Sequence, residues 1–356
     1  MEKRKLPLID ILRIVCVCLI YMRHSITMFG CHYINVIDIL TCSLTGPVMT
    51  CFFILSGFSI HYQHRSEIVT DSWLRLFLKK RLISIMPSYL LVALIWPIAY
   101  RQHLNDWILL LPIDLFGIQT AYRTLFGILH NGGTWFVSCI LFCYVLYPVM
   151  KSVMSNHHQE DRWTSWLTLI IAHFLLMYSY VIISAFKLDG LYSNPIARAG
   201  EFLIGVSFAE IVFGIKKDSV HKLKDKWGAI YCILLLTSIS ITIALLNRAS
   251  LRIMAFAYLT IPFVLLILYT STLFSLRALE KNKVLATLSG MSYQFFLAQL
   301  FIWKLTGWML KLLQLHGNIA KLMASFILCI CLSFITWKFY DKPIRKVLSV
   351  KLISRG

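Results

Sequence analysis

The chain has 356 residues, of which 58% are hydrophobic and 14% charged. Soluble domains are about half apolar and about a quarter charged, so this composition excludes an ordinary soluble protein and points to a polytopic membrane protein. The formal net charge of +19 would suit a nucleic-acid partner, but the charges fall between apolar runs of roughly 20 residues, the length a helix needs to cross hydrocarbon.

Ten spans are expected, at 6–28, 46–64, 82–100, 134–150, 164–184, 199–215, 228–246, 253–273, 285–313 and 321–340. The fold class is therefore all-α, a transmembrane bundle of about ten helices in a lipid bilayer. No polar segment reaches the roughly 50 residues of a small soluble domain, so residues 1–356 read as a single membrane domain. With the N-terminus inside and 101–133 held outside, inner connections carry more than three times the Lys and Arg of outer ones. That asymmetry places both termini in the cytoplasm, with attraction to anionic lipid a secondary effect. It also accounts for the net charge without nucleic acid. MEKRK before the first span resembles a signal-peptide start, but the following run is broken by charge and lacks a small-residue cleavage site, so it is expected to be retained.

The first span, LPLIDILRIVCVCLIYMRHSITMFG (6–30), holds Asp10, Arg13, Arg23 and His24. Arg13 and His24 are about 1,100° apart at roughly 100° per residue, so they share a face and lie about 16 Å apart along the axis. Asp10 precedes Arg13 by one turn and can pair with it. Each such charge costs about 2.5–3.5 kcal/mol near the middle of a bilayer. Arg23 can snorkel outward; Asp10 and His24 have shorter reach and need protein or water around them. One polar stripe on an apolar helix thus argues for a lined cavity, the alternative being a histidine that only bonds a neighbouring helix.

Further along, Ser56 in ILSGFS lacks the pattern of a nucleophile elbow, and a tight LSG turn or a packing role is the better reading. Lys79, Lys80 and Arg81 fit a cytoplasmic anchor as well as an anion site. WILLLPIDLFGI, within the long connection 101–133, is too apolar for disorder and too short to span, so a re-entrant or interfacial segment is expected. Trp135 and Phe136 suit either an interface belt or an acceptor groove. Arg198 and Glu201, one turn apart, are placed to form an ion pair near a helix start, with an acceptor-site role the less favoured alternative. Of ten Cys, eight lie in spans as small apolar fillers (Cys16, Cys18, Cys51, Cys139, Cys143, Cys232, Cys329, Cys331). Cys31 and Cys42 share the first outer connection, where a disulfide is open to them. His130, His157, His158, His173 and His316 have no metal-ligand spacing, and no metal is expected.

Asp10 through His24, DILRIVCVCLIYMRH, resembles the opening of the membrane acyltransferase-3 family, whose first helix carries Arg, ten residues, then His. The resemblance continues in order through GPVMTCFFILSGFSI (46–60), KRLISIMPSY (80–89), GGTWFVSCILFCYVLYP (132–148), EFLIGV (201–206), LSGMSYQFFLAQ (288–299) and FYDKPIRK (339–346). Two positions depart from it. The family's Arg-x-x-Arg is here Arg81 followed by Ser84, which removes the second cation. Its late YL-x-H is here Phe296 with Gln299, and a Gln can position but not deprotonate. The chain leaves no room for the SGNH-type esterase domain of some relatives.

The resemblance implies acyl transfer in a bacterial inner membrane. The donor would be a cytoplasmic acyl-CoA, usually acetyl-CoA, used as substrate with no permanently bound cofactor. The acceptor would be a hydroxyl of a cell-surface glycan or lipid-linked glycan such as O-antigen, capsule or exopolysaccharide. It makes His24 the catalytic residue, as base or acyl carrier, since His titrates near 7 without a large shift. Arg13 and Arg81, with Lys80, become candidates for the donor phosphates, which guanidinium binds in a bidentate fork. Asp10, Ser84, Trp135, Glu201 and Gln299 are the supporting set. A polytopic transporter of a lipid-linked glycan or small solute is the alternative, weakly disfavoured because the halves show no matching broken helices. In a third reading the chain is a membrane subunit whose polar residues only join helices.

Overall fold

The computed structural model describes residues 5–30, 38, 44–99, 104–118, 120, 134–155, 163–185, 191–213, 249–273, 276–314 and 317–353. Among the described residues there is no strand, and the all-α expectation holds. The helices are α1 (Pro7–Phe29), α2 (Thr45–His64), α3 (Asp71–Ala99), α4 (Leu104–Phe116), α5 (Trp135–Ser155), α6 (Trp163–Ala185), α7 (Pro195–Phe213), α8 (Ala249–Leu273), α9 (Arg277–Glu280), α10 (Lys283–Leu312), α11 (Asn318–Ile335) and α12 (Lys342–Ile353). A π-helical turn, Thr336–Asp341, joins α11 to α12. Nine of the ten expected spans fall on these helices. The tenth, 228–246, lies outside the described residues, as do Cys31, Cys42, Cys232 and the basic connection 216–227.

Among the described residues, Trp135–Met154, Lys283–Leu312 and Asn318–Val350 are long and apolar enough to cross a membrane, and Ser165–Ser179 and Thr260–Thr272 are shorter apolar helices. The surface fits a lipid solvent. On α5, Phe142, Val145, Val149 and Val153 are exposed at intervals of three and four residues, one apolar stripe facing away from the protein interior.

Helix ends follow local chemistry. α3 begins about ten residues before the expected span because Thr70 caps it: the Thr70 hydroxyl accepts from the Trp73 backbone N–H at 3.2 Å, and Asp71 sits at the positive end of the helix dipole. Asn194 caps α7 by accepting from the N–H groups of Ile196 and Ala197, with Pro195 at the first helical position. Asn282 does the same for α10 through Val284 and Leu285. The apolar segment in 101–133 is the helix α4. Gly117, at φ +63°, ends it with the paired bonds Gly117 N–H to Asp114 O and Ile118 N–H to Ile113 O.

The chain forms two compact units interleaved along the sequence: one of 1–12, 43–74 and 142–281, the other of 13–42, 75–141 and 282–356. In the first unit α2 packs against α7 and α8, and α6 against α7. Ser56 and Gly57 lie inside the continuous helix α2, so LSG is not a turn; its role is packing. A Cβ on Gly57 would stand 2.0 Å from the Phe202 carbonyl oxygen, and one on Gly205 would stand 2.1 Å from that of Ile54. Two glycines thus let the backbones of α2 and α7 touch, the small-residue contact that membrane helices use where burial from water gives no drive.

In the second unit α10 packs along α11, and Tyr21 of α1 reaches both. Its ring lies 5.4–5.7 Å from Phe295 and Trp303 and 5.2 Å from Phe326, and its hydroxyl donates to the Leu322 carbonyl at 2.8 Å and bonds Ser325 Oγ. Cys16, Cys51, Cys139, Cys143 and Cys329 are buried, as expected of fillers, whereas Cys18 is half-buried and Cys331 exposed.

Candidate active site

The polar stripe of α1 leads to one side-chain contact with α10. Nδ1 of His24 lies 2.7 Å from Oε1 of Gln299 on α10. An amide oxygen can only accept, so this bond fixes the proton on Nδ1 and leaves Nε2 as the basic nitrogen of the ring. Tyr21, three residues earlier on the same face, is fully buried and bonded to α11, which sets the rotation and depth of α1 and hence where His24 stands. Gln299 is itself buried.

Aromatic rings lie near the same imidazole. Phe296 lies 6.5 Å from the His24 ring, Phe136 of α5 5.7 Å from Phe296, and the buried Trp135 6.4 Å from Phe136. Phe296 and Gln299, which stand where the resembled family has its late Tyr and His, thus both face His24 or its neighbours. The second unit thus brings together an imidazole, an amide and aromatic rings, and the imidazole is a group that can accept one proton.

The other expected residues distribute as follows. Arg13 shares α1 with His24 and is half-buried, as is Asp10 one turn before it. On α3 Arg81 is half-buried, its guanidinium 5.2 Å from the Phe77 ring centre, while Lys80 is exposed and Ser84 half-buried. Glu201 lies in the first unit, on α7. It is fully buried, receives both Arg198 Nη1 bonds (2.8 and 2.7 Å) and accepts from the Thr50 hydroxyl at 2.7 Å. Arg198, also fully buried, donates from Nε and Nη2 to the Tyr192 carbonyl and lies against Phe53 and Tyr192. The ion pair is present, and with its bonds so directed it clamps α7 to α2. His173 is buried, and its carbonyl accepts from the Tyr258 hydroxyl. His130, His157, His158 and His316 lie outside the described residues. Among the described residues no group of three His, Cys, Asp or Glu could hold a metal.

Two polar clusters escaped the sequence reading. In the second unit Gln294 donates to Ser88 Oγ (3.1 Å), Ser88 donates to the buried Asp341 (2.8 Å), and Arg345 pairs with Asp341 at 2.6 Å. Asp341 ends the π-helical turn, a geometry that recurs at functional sites. In the first unit His61 bonds Glu210 at 2.7 Å and Tyr147 at 3.2 Å, and Arg65 bonds Glu210 at 3.0 Å. The available signal was ionisable residues within apolar helices.

A family model described as an acyltransferase domain matches residues 6–338. The chain belongs to the acyltransferase-3 family. It is therefore a membrane acyltransferase, a transferase of groups other than aminoacyl. No curated relative and no solved structure matches it.

Proposed function

We propose that this acyltransferase moves an acetyl group from cytoplasmic acetyl-CoA to a hydroxyl of a cell-surface polysaccharide, working in a bacterial inner membrane with both termini in the cytoplasm. The observation that supports the reading is the 2.7 Å bond from His24 to Gln299, which engages Nδ1 and leaves Nε2 as the basic nitrogen of an imidazole on a membrane helix. In the proposed reaction Nε2 of His24 takes the acceptor hydroxyl proton as that oxygen attacks the thioester carbonyl. The tetrahedral intermediate then expels the CoA thiolate, which receives the proton back from Nε2. Arg13 and Arg81 would hold the donor phosphates, with Lys80 adding long-range attraction, because paired guanidinium N–H groups suit phosphate oxygens. Asp10 would orient Arg13, and the Phe136 and Phe296 rings would offer an apolar face to the sugar.

His24→Gln tests the proposal, because Gln keeps hydrogen-bonding capacity but cannot take a proton. Loss of a general base typically removes about 10²–10⁴-fold in rate. Mass spectrometry of surface glycan should show acetylation lost in cells carrying His24→Gln at wild-type abundance. Near-normal acetylation would remove His24 from the mechanism.

A further inference from the structure

Gln299 is fully buried, yet its amide nitrogen has no hydrogen-bond partner among the described residues. Leaving a buried donor unpaired costs about 1–3 kcal/mol, so the observation calls for an explanation. The amide oxygen is already committed to His24, and rotating the amide would put an N–H on Nδ1 and take from the ring the proton that makes Nε2 basic. The N–H2 group therefore stays next to the imidazole as a donor pair awaiting an acceptor.

We propose that Gln299 supplies an oxyanion donor for acyl transfer: Nε2–H of Gln299 bonds the thioester carbonyl oxygen of the acyl donor as that oxygen becomes negative. This rests on the reading of His24 as base. The acceptor oxygen forms a bond to the carbonyl carbon while its proton passes to His24 Nε2. The carbonyl π pair moves onto oxygen, where Gln299 Nε2–H holds it. As that pair returns, the C–S bond breaks and the thiolate takes the proton from His24, so acyl thioester and alcohol become ester and thiol. A donor set in a dry site before the reaction is worth more than one in water, because nothing must reorganise when charge appears. One carboxamide thus serves both ends of the reaction, its oxygen fixing the base and its nitrogen meeting the developing charge.

Gln299→Glu separates this role from mere positioning, since a carboxylate holds Nδ1–H at least as well as an amide but donates nothing. With the full chain in inverted membrane vesicles, acetyl-CoA as donor and the cell's own glycan as acceptor, thiol release gives kcat and KM. Loss of one oxyanion donor typically costs about 10²–10³-fold in kcat, and that loss is expected with KM for acetyl-CoA little changed. A Gln299→Glu kcat within tenfold of the wild type overturns the proposal. If His24→Gln is inactive in the same vesicles, only the oxyanion assignment falls; if it is active, the base reading falls with it. A second measurement needs no variant. The carbonyl-¹³C-labelled acetonyl thioether of CoA, a ketone that cannot transfer its acyl group, should show a C=O stretch on the wild-type protein below its value in water. A stretch at or above that value also overturns the proposal.

Discussion

Glu201→Ala should destabilise the protein severely, for reasons found in its partners. The carboxylate is fully buried and accepts two bonds from Arg198 and one from Thr50. Its removal leaves a buried guanidinium with the Tyr192 carbonyl as its surviving acceptor from this cluster, and a threonine hydroxyl that retains the Gly46 carbonyl. Breaking a buried ion pair from one side typically costs about 3–5 kcal/mol, most of it the uncompensated charge. Replacing both partners with apolar residues of similar volume, Arg198→Met with Glu201→Leu, should recover most of that loss, because no charge is then stranded. The measurement is the thermal midpoint and accumulated amount of detergent-solubilised protein for the wild type, the single variant and the double variant. A structural clamp predicts an unstable single variant and a double variant near wild-type stability. Wild-type stability in Glu201→Ala with transfer abolished would refute the clamp and return Glu201 to the acceptor site.

Gly57→Ala puts a methyl carbon 2.0 Å from the Phe202 carbonyl oxygen, backbone that cannot swing aside, so α2 and α7 must separate. Overpacking of this kind costs typically about 1–3 kcal/mol, and a lowered thermal midpoint in the same detergent assay is the expected reading. Arg13→Ala should raise KM for acetyl-CoA in the vesicle assay, with Arg13→Lys recovering only part because an ammonium lacks the planar fork; an unchanged KM would make Arg13 structural.

The fold class was legible because apolar runs of roughly 20 residues admit few other readings. Their edges were less so. The charged residues Asp71, Arg75, Lys79 and Lys80 read as a connection, although the Thr70 cap draws them into α3. Arg198 and Glu201 were readable as a pair because both lie one turn apart on one helix. Thr50, 151 positions away, was not, since nothing in the order of residues reports which helices meet. The same limit applied to His24 and Gln299, 275 positions apart: each was identified from its own segment, but their contact was not. Asp341 passed unremarked within FYDKPIRK because a π-helical turn shifts the helical register there, so an i, i+4 count along an α-helix misplaces its face.

Gln at position 299 narrows what this site can do. Had a second histidine faced His24, the shared proton could rest on either ring, and the tautomer of His24 would follow whatever else the pair touched. An amide has no such freedom: its oxygen only accepts and its nitrogen only donates. The 2.7 Å bond therefore commits His24 to one tautomer and leaves Nε2 as its basic nitrogen. The commitment has a cost, because an amide cannot store or relay the proton that His24 accepts in the proposed reaction. In the proposed reaction that proton therefore returns to the leaving thiolate rather than passing through α10. Gln299 is buried and the rings of Phe296 and Phe136 stand near His24; in the proposed reaction such apolar surroundings limit the water that would compete with the acceptor hydroxyl for the acyl carbon.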